Sequence, residues 1–223
     1  HVGLVDEHLE DDDILEMVNA GLIPVTVSNE FTVGLWEPLL PELAQRFRVT
    51  VLELPGHGAS EAAEAADLAD WARRCLEVAP LCAHWLGWSL GGQVALRAAL
   101  DAPERVAGLT LIATTPRFVQ GADWSYAMPI EAFRQFADAL AKDPNGALLR
   151  FLGLQVQGAE HARETLRLLR MELAQRPAAS DTGLQQGLAL LMHSDLRAGL
   201  AGLRCPSQWL FGSRDALARS EER

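Results

Sequence analysis

Short apolar runs alternate with stretches of helical periodicity from about residue 31 onward. The apolar runs are bounded by turn residues, and they predict strands at residues 48–54, 81–87, 106–113 and 207–211. Between them, residues 67–78 and 90–100 carry apolar side chains at helical spacing. Strands and helices in this order predict an α/β fold, with a mostly parallel sheet and helices on both of its faces.

The stretch between the last two predicted strands has no strand pattern. Its apolar residues follow helical spacing instead, at residues 131–141, 146–154, 160–175 and 184–192. We therefore expect a core in two parts, residues 30–115 and 204–223, with residues 116–203 inserted as a helical lid.

The negative charge is concentrated at the start of the chain. Residues 1–45 contain ten of the 30 acidic residues and no Lys or Arg, whereas the remainder is almost neutral. This break predicts that residues 1–29 form an acidic N-terminal segment distinct from the core. An acidic helix and a strand at 22–27 are expected there, and no metal-loop spacing is present.

Length and charge exclude several classes of protein. A chain of 223 residues with a formal net charge of −11 can bury one core, and it repels nucleic acid and anionic membranes. No apolar run is long enough to span a bilayer, and no export leader is recognisable, so a cytoplasmic location is expected. The three cysteines lack zinc spacing, and we expect no metal site.

The strongest chemical signal is the sequence Gly87-Trp88-Ser89-Leu90-Gly91. It follows an apolar strand and opens an Ala-rich helix, as the G-x-S-x-G turn of serine hydrolases requires. Such a turn exposes the hydroxyl of Ser89. It also directs the backbone N–H of Leu90 and the positive end of the helix towards a developing oxyanion.

These residues and their surroundings resemble a known family. The sequence LGWSLGG, the later APERVAGLTLIATTPRF, LPGHGAS at 54–60 and FGSRD at 211–215 are similar to the α/β-hydrolases. More narrowly, they resemble the pimeloyl-acyl-carrier-protein methyl ester esterases of biotin synthesis. The resemblance implies a carboxylester hydrolase that removes the methyl group from a pimeloyl chain on acyl carrier protein, without a cofactor.

The resemblance also implies roles for particular residues. Ser89 matches the nucleophile, Leu90 supplies one oxyanion N–H, and Trp88 matches the aromatic residue before the nucleophile. Asp215 matches the triad acid, with a surface-loop aspartate as the alternative. The segment that matches the lid lining of the acyl pocket, with ordinary helical packing as the alternative, comprises Phe151, Leu152, Gly153, Leu154 and Gln155.

Two departures from the family pattern stand out. No histidine follows Asp215, although the triad order of this fold is Ser, Asp, His. The remaining candidates, which we interpret as structural or solvated, are His57, His84, His161 and His193. In addition, residues 25–31 do not match the family's His-Gly-Trp oxyanion loop, which leaves the second oxyanion donor open. We therefore expect a hydrolase sheet that is incomplete at both ends and a chain of little activity as written.

Other functions stay open. The chain could act on another small ester, or it could be a catalytically silent binding module of the same fold. Residues 1–28 resemble a short part of the substrate-binding-type domain of lytic transglycosylases, which would favour a periplasmic or cell-wall protein.

Three arginines are candidates for docking the acyl carrier protein. Arg163 and Arg167 are four residues apart and share a helix face, and Arg150 precedes the acyl-pocket segment. By resemblance, all three lie where the esterase lid meets its carrier. The alternative is that they are ordinary solvating cations, since the chain uses arginine almost exclusively as its base.

Overall fold

The computed structural model describes residues 3–5, 24–28, 36, 39–125, 127–155, 163–164, 166–167, 170–171 and 179–212. Within them, six strands form one sheet in which every pairing is parallel. In chain order they are β1 (Gly3–Val5), β2 (Pro24–Ser28), β3 (Thr50–Glu53), β4 (Ala83–Trp88), β5 (Val106–Ile112) and β6 (Ser207–Leu210). This confirms the predicted α/β class with a parallel sheet.

Six α-helices are described with the strands. They are α1 (Leu40–Arg46), α2 (Leu68–Val78), α3 (Leu90–Asp101), α4 (Ile130–Lys142), α5 (Pro144–Gln155) and α6 (Asp181–His193). A 3₁₀ helix, Arg197–Gly202, leads into β6. No helix among these described residues is long and apolar enough to cross a bilayer.

The strand order across the sheet is β1-β6-β5-β4-β2-β3. The chain leaves β2 towards one edge to form β3, and it leaves β4 towards the other edge to form β5. Because parallel crossovers are right-handed, these opposite directions place α1 and α3 on opposite faces of the sheet. The order therefore reverses between β2 and β4, and the carboxyl ends of these strands form the crevice in which open α/β sheets bind ligands.

The core lies between the central strands and the helices α2 and α3. Trp85, Leu109 and Leu111 on the strands are fully buried, and α2 and α3 pack on each other. The helix α2 begins where Asp67 accepts a hydrogen bond from the Ala69 N–H at 3.0 Å. It buries Trp71 and Cys75, four residues apart, on one stripe.

The sheet extends into the acidic N-terminal region. Gly3–Val5 pairs with β6, and Pro24–Ser28 lies between β3 and β4. Pro24 is the first residue of its strand, a position where the missing N–H costs little. The acidic helix expected near residues 10–18 lies outside the described residues.

The described regular structure between β5 and β6 is helical, apart from two isolated bridges, and turns and loops join its helices. A second hydrophobic cluster holds it together, formed by Phe118, Val119, Met128 and Phe133 with side chains of α6 packed against it. We refer to this insertion, residues 116–203, as the lid.

The two ends of the lid are clasped to each other. Arg117 and Arg197 both pair with Asp195, at 3.2 and 2.7 Å, and Arg197 also reaches Asp123 at 2.9 Å. The hydrogen bonds from Arg197 hold the pKa of Asp195 down, at about 2. The Arg197 guanidinium lies 5.2 Å from the centroid of the Trp124 ring. These contacts anchor the lid beside the carboxyl ends of the strands.

Candidate active site

Ser89 lies at the junction of β4 and α3 in a strained conformation. Its φ of 52° and ψ of −119° are unusual for a residue with a side chain, and such strain concentrates at functional sites. The turn is held by its backbone. The Ser89 N–H donates to the Ile112 carbonyl at 2.9 Å, and the Ser89 carbonyl accepts from the Gln93 N–H at 3.2 Å. The structure thus contains the strand-to-helix turn that the sequence predicts.

Two glycines allow this turn to be so tight. A Cβ on Gly87 would lie 2.6 Å from the Gly92 Cα, and a Cβ on Gly92 would overlap the hydroxyl of Thr114. The close approach therefore involves Gly92, one residue beyond the G-x-S-x-G pattern. The sequence shows a second glycine directly after Gly91, but only the contact with Thr114 in the structure explains why position 92 needs a glycine.

Two polar residues that the sequence analysis did not single out brace the turn. The Thr114 hydroxyl shares its single proton between two carbonyls, that of Ile112 at 2.9 Å and that of Ser89 at 3.2 Å. Gln93 is buried, and its amide donates to the Thr115 carbonyl at 2.9 Å. These bonds connect the start of α3 to the chain leaving β5, so they hold the serine against the sheet.

Leu90 is the first residue of α3, so its backbone N–H has no acceptor within the helix. It is therefore available to an oxyanion at the positive end of the helix dipole. The predicted second donor would follow β2, whose carboxyl end neighbours that of β4. Residues 29–35 lie outside the described part of the chain, and the identity of that donor stays open.

A cavity of about 50 Å³ opens beside Ser89. Trp88, Leu90 and His57 line it from the core, and the lid closes it with Phe118, α4 and α6. Apart from Ser89 and His57, its described walls are apolar or aromatic. The arrangement suits a small apolar group held next to a hydroxyl nucleophile.

His57 is the described histidine that shares this cavity with Ser89. It is 4% exposed, and its Nδ1 lies 2.9 Å from the Pro55 carbonyl. Because a carbonyl only accepts, Nδ1 carries the proton and Nε2 is the unprotonated nitrogen of the neutral ring. Burial lowers the pKa of His57, which favours that neutral form. Trp71 meets the ring edge-on, with centroids 5.8 Å apart.

The lid packs closely against the turn that carries His57 and is hydrogen-bonded to it. Gly56, with a φ of +76°, approaches α6 so closely that a Cβ on it would lie 2.5 Å from the Gly183 Cα. Ser180 caps α6 by accepting from the Gly183 N–H at 3.0 Å, and its own N–H donates to the Gly56 carbonyl at 2.9 Å. The position of α6 over Ser89 is thereby defined.

His84 and His193 do not line this cavity. His193 is exposed at the end of α6, and His161 lies outside the described residues. His84 stands on β4 one residue after the strand begins, away from the carboxyl end that carries Ser89. Its Nε2 lies 2.8 Å from the Thr110 hydroxyl, and burial lowers its pKa to about 4.

We expect His84 to make folding stability depend on pH. Its pKa in the folded chain lies below the unfolded value of 6.5, so between these values the unfolded chain binds a proton that the folded chain does not. This contribution to stability is therefore present above pH 6.5 and is lost as the pH falls towards 4. Urea unfolding of the chain and of His84→Gln, which retains a group able to bond Thr110, should diverge by about 2 kcal/mol across that range. Parallel pH profiles would contradict the assignment.

The other predicted site residues are only partly described. Asp215 lies outside the described residues, three positions after the described chain reaches Gly212. Phe151, Leu152, Gly153, Leu154 and Gln155 end α5, and of their side-chain positions only that of Gly153 is described; it is half-buried. The described lining of the cavity on the lid side comes from Phe118, α4 and α6, and the role of residues 151–155 stays a prediction. Arg150, Arg163 and Arg167 are helical and exposed.

Comparison with known proteins agrees with this geometry. The chain matches the family described as alpha/beta hydrolase fold over residues 28–217. It is 45% identical over 184 residues to a pimeloyl-[acyl-carrier protein] methyl ester esterase of Stenotrophomonas maltophilia, covering 82% of this chain and 71% of the relative. It is also 45% identical over 193 residues to the esterase of the same name from Methylococcus capsulatus, covering 84% and 74%.

Solved structures show the same fold. A hydrolase from Pseudomonas aeruginosa superposes with a TM-score of 0.69 at 29% identity, covering 90% of this chain and 76% of that one. An esterase from Exiguobacterium antarcticum superposes with a TM-score of 0.71 at 22% identity, covering 88% and 75%, a likeness of fold alone.

Proposed function

The chain belongs to the alpha/beta hydrolase fold family, and from that premise we propose that it hydrolyses the methyl ester of a pimeloyl group carried by acyl carrier protein. The observation that carries the proposal is the strained Ser89 at the β4–α3 junction, which faces a small apolar cavity under a helical lid. The names of its relatives at 45% identity supply the substrate.

The proposed reaction is acyl transfer through Ser89. The Ser89 oxygen loses its proton to a base and bonds to the ester carbonyl carbon, while the Leu90 N–H stabilises the oxyanion. The bond from that carbon to the methoxy oxygen then breaks, and the methoxy group takes a proton and leaves as methanol. Water attacks the acyl-serine, which frees the carboxylate and restores the hydroxyl.

Asp215 is the proposed acid that orients the base, because it follows β6 as the family pattern requires. Within the described residues no histidine follows β6, where the order of this fold places the base. Trp88 and residues 151–155 are the proposed contacts of the acyl chain.

The test is hydrolysis of pimeloyl methyl ester on purified acyl carrier protein. Mass spectrometry of the intact carrier should show conversion of the methyl ester to the free acid, with release of methanol. Turnover of small esters without turnover of the carrier-bound ester would support another esterase of this fold. Binding of the carrier-bound ester without any hydrolysis would support a silent binding module.

The lid arginines are the proposed docking site for the acidic carrier. Residues 130–176 contain seven bases and six acids, so this stretch lacks the negative bias of the chain. Arg150, Arg163 and Arg167 are exposed, and Arg150 approaches Asp143 only at 4.0 Å. Guanidinium groups pair with carboxylates and phosphates in a bidentate manner and steer encounter between charged proteins.

Charge reversal at Arg163 and Arg167 should therefore weaken turnover of the carrier-bound ester by about tenfold, and more at low salt, because the lost attraction is screened by ions. A small soluble ester should be hydrolysed almost as before. The matched control is Arg48→Glu, which reverses an exposed arginine outside the lid, between α1 and β3. Equal losses on both substrates would show that the arginines support the lid and do not dock the carrier.

A further inference from the structure

The lid helix α6 contains a glycine that its backbone conformation does not explain. Gly187 lies in the interior of this 13-residue helix and is buried, and its φ is not in the left-handed range. Glycine in a helix interior is less favourable than alanine, because it loses more backbone freedom when the helix forms. A cost of this kind points to a position where a side chain would interfere.

The missing side chain would occupy space directly above the site. A Cβ on Gly187 would lie 3.2 Å from the Leu90 Cδ2, tighter than ordinary van der Waals contact, and 3.9 Å from the His57 Cε1. Gly187 also lines the cavity beside Ser89. The close atom is the end of the Leu90 side chain and not its backbone, so the absence of one methyl group preserves space in the cavity.

The size of the cavity indicates which end of an ester it accepts. An apolar cavity of about 150 Å³ binds a benzene molecule, so a cavity of about 50 Å³ holds only a few heavy atoms. An acyl chain attached to a carrier protein must continue outward to the solvent. The group on the other side of the reacting carbonyl, the alkoxy group, is the part that ends within such a space.

We propose that Gly187 is a specificity-determining residue that sizes this cavity for the methoxy group of the ester and excludes larger alkoxy groups. The assignment rests on the proposed function, because it supposes that Ser89 attacks an ester carbonyl beside the cavity. The apolar walls suit a methyl group, and the neutral ring of His57 adds no charge to them. Two leucines of α6 also line the cavity from the lid side. Leu184 lies one turn before Gly187, and Leu188 is the residue after it.

The test is Gly187→Ala, assayed with dimethyl, diethyl and dipropyl pimelate. One methylene in an apolar pocket changes kcat/KM by roughly 10- to 200-fold, so the variant should lose at least about tenfold on the diethyl ester while the dimethyl ester changes little. For methyl esters of acids of increasing length, the order of kcat/KM should be the same in the variant as in the unmodified chain. The midpoint of thermal unfolding should be unchanged or raised, because alanine favours the helix.

Two further variants frame this result. Leu184→Ala removes atoms from the cavity wall and should shift preference towards the diethyl ester, the opposite direction. Gly202→Ala adds a methyl group where nothing lies within 4 Å, and it should leave both series unchanged. If Gly187→Ala lowers every ester equally, or if its losses follow acyl length, the inference is overturned.

A binding measurement separates this inference from the proposed function. If the chain hydrolyses no ester, the proposed function fails, and the size of the cavity is then measured by ligand-observed NMR with the same dialkyl pimelates. The sizing role is supported if the unmodified chain binds the dimethyl ester best and if Gly187→Ala weakens binding more as the alkoxy group becomes larger. Binding that is indifferent to alkoxy size overturns it.

Discussion

Replacing Ser89 with alanine is expected to reduce ester hydrolysis by the chain, however slow, to the uncatalysed rate and to abolish its covalent labelling, since loss of a serine nucleophile removes the covalent route altogether. The fold should survive, because the turn is held by backbone bonds to Ile112 and Gln93 and by the Thr114 hydroxyl, none of which uses the Ser89 side chain. The measurement is hydrolysis of p-nitrophenyl butyrate together with covalent labelling by a fluorophosphonate probe.

The matched control is Ser125→Ala, which removes the hydroxyl of an exposed serine in the lid. This variant should react with the fluorophosphonate probe and hydrolyse p-nitrophenyl butyrate as the unmodified chain does. Equal labelling of the unmodified chain and Ser89→Ala would contradict the assignment of the nucleophile, whatever the rate of hydrolysis.

Replacing Trp71 with alanine should lower the free energy of unfolding by about 3–5 kcal/mol, the range for emptying a large buried aromatic site. Trp71 is fully buried on α2 and meets the His57 ring edge-on. Its loss therefore opens a cavity directly behind the turn that anchors α6. Urea unfolding gives the free energy, and near-ultraviolet circular dichroism reports the packing of the remaining aromatic residues.

Two variants separate this packing effect from a general effect on the helix. Trp71→Phe keeps an aromatic ring and removes an indole N–H that has no acceptor among the described residues, so it should cost less than alanine. Val78→Ala changes an apolar residue of the same helix that is 69% exposed, and it should stay within about 0.5 kcal/mol. A loss below 1 kcal/mol for Trp71→Ala would contradict the central packing role of this residue.

The elements nearest the candidate site were predictable from local pattern. The strand before Ser89 and the helix after it were expected at 81–87 and 90–100, and they are found at Ala83–Trp88 and Leu90–Asp101. A short apolar run, two glycines and an apolar helix act over neighbouring residues, so their consequences can be inferred from the sequence. By contrast, the seven-residue helix Leu40–Arg46 was not predicted, because it buries only Leu43 and has little periodicity to detect.

The lid illustrates the limit of local pattern. Helices were predicted at 131–141 and 184–192, and α4 and α6 occupy these stretches with slightly wider bounds. Periodicity could not say which of the lid helices would face Ser89. The resemblance pointed to residues 151–155 at the end of α5, which stays a prediction, and the structure adds Phe118, α4 and α6 as the described lid side of the cavity.

The sequence by itself determined the α/β class, the nucleophile turn and the helical nature of the lid, because periodicity and turn residues act over a few positions. Tertiary structure alone decided that Gly92 accommodates Thr114, that His57 shares a cavity with Ser89, and that Gly187 lies above Leu90. Each of these contacts joins residues far apart in the chain. Such contacts depend on the tertiary arrangement, in which the strand order reverses between β2 and β4 and the lid is anchored over the carboxyl ends of these strands.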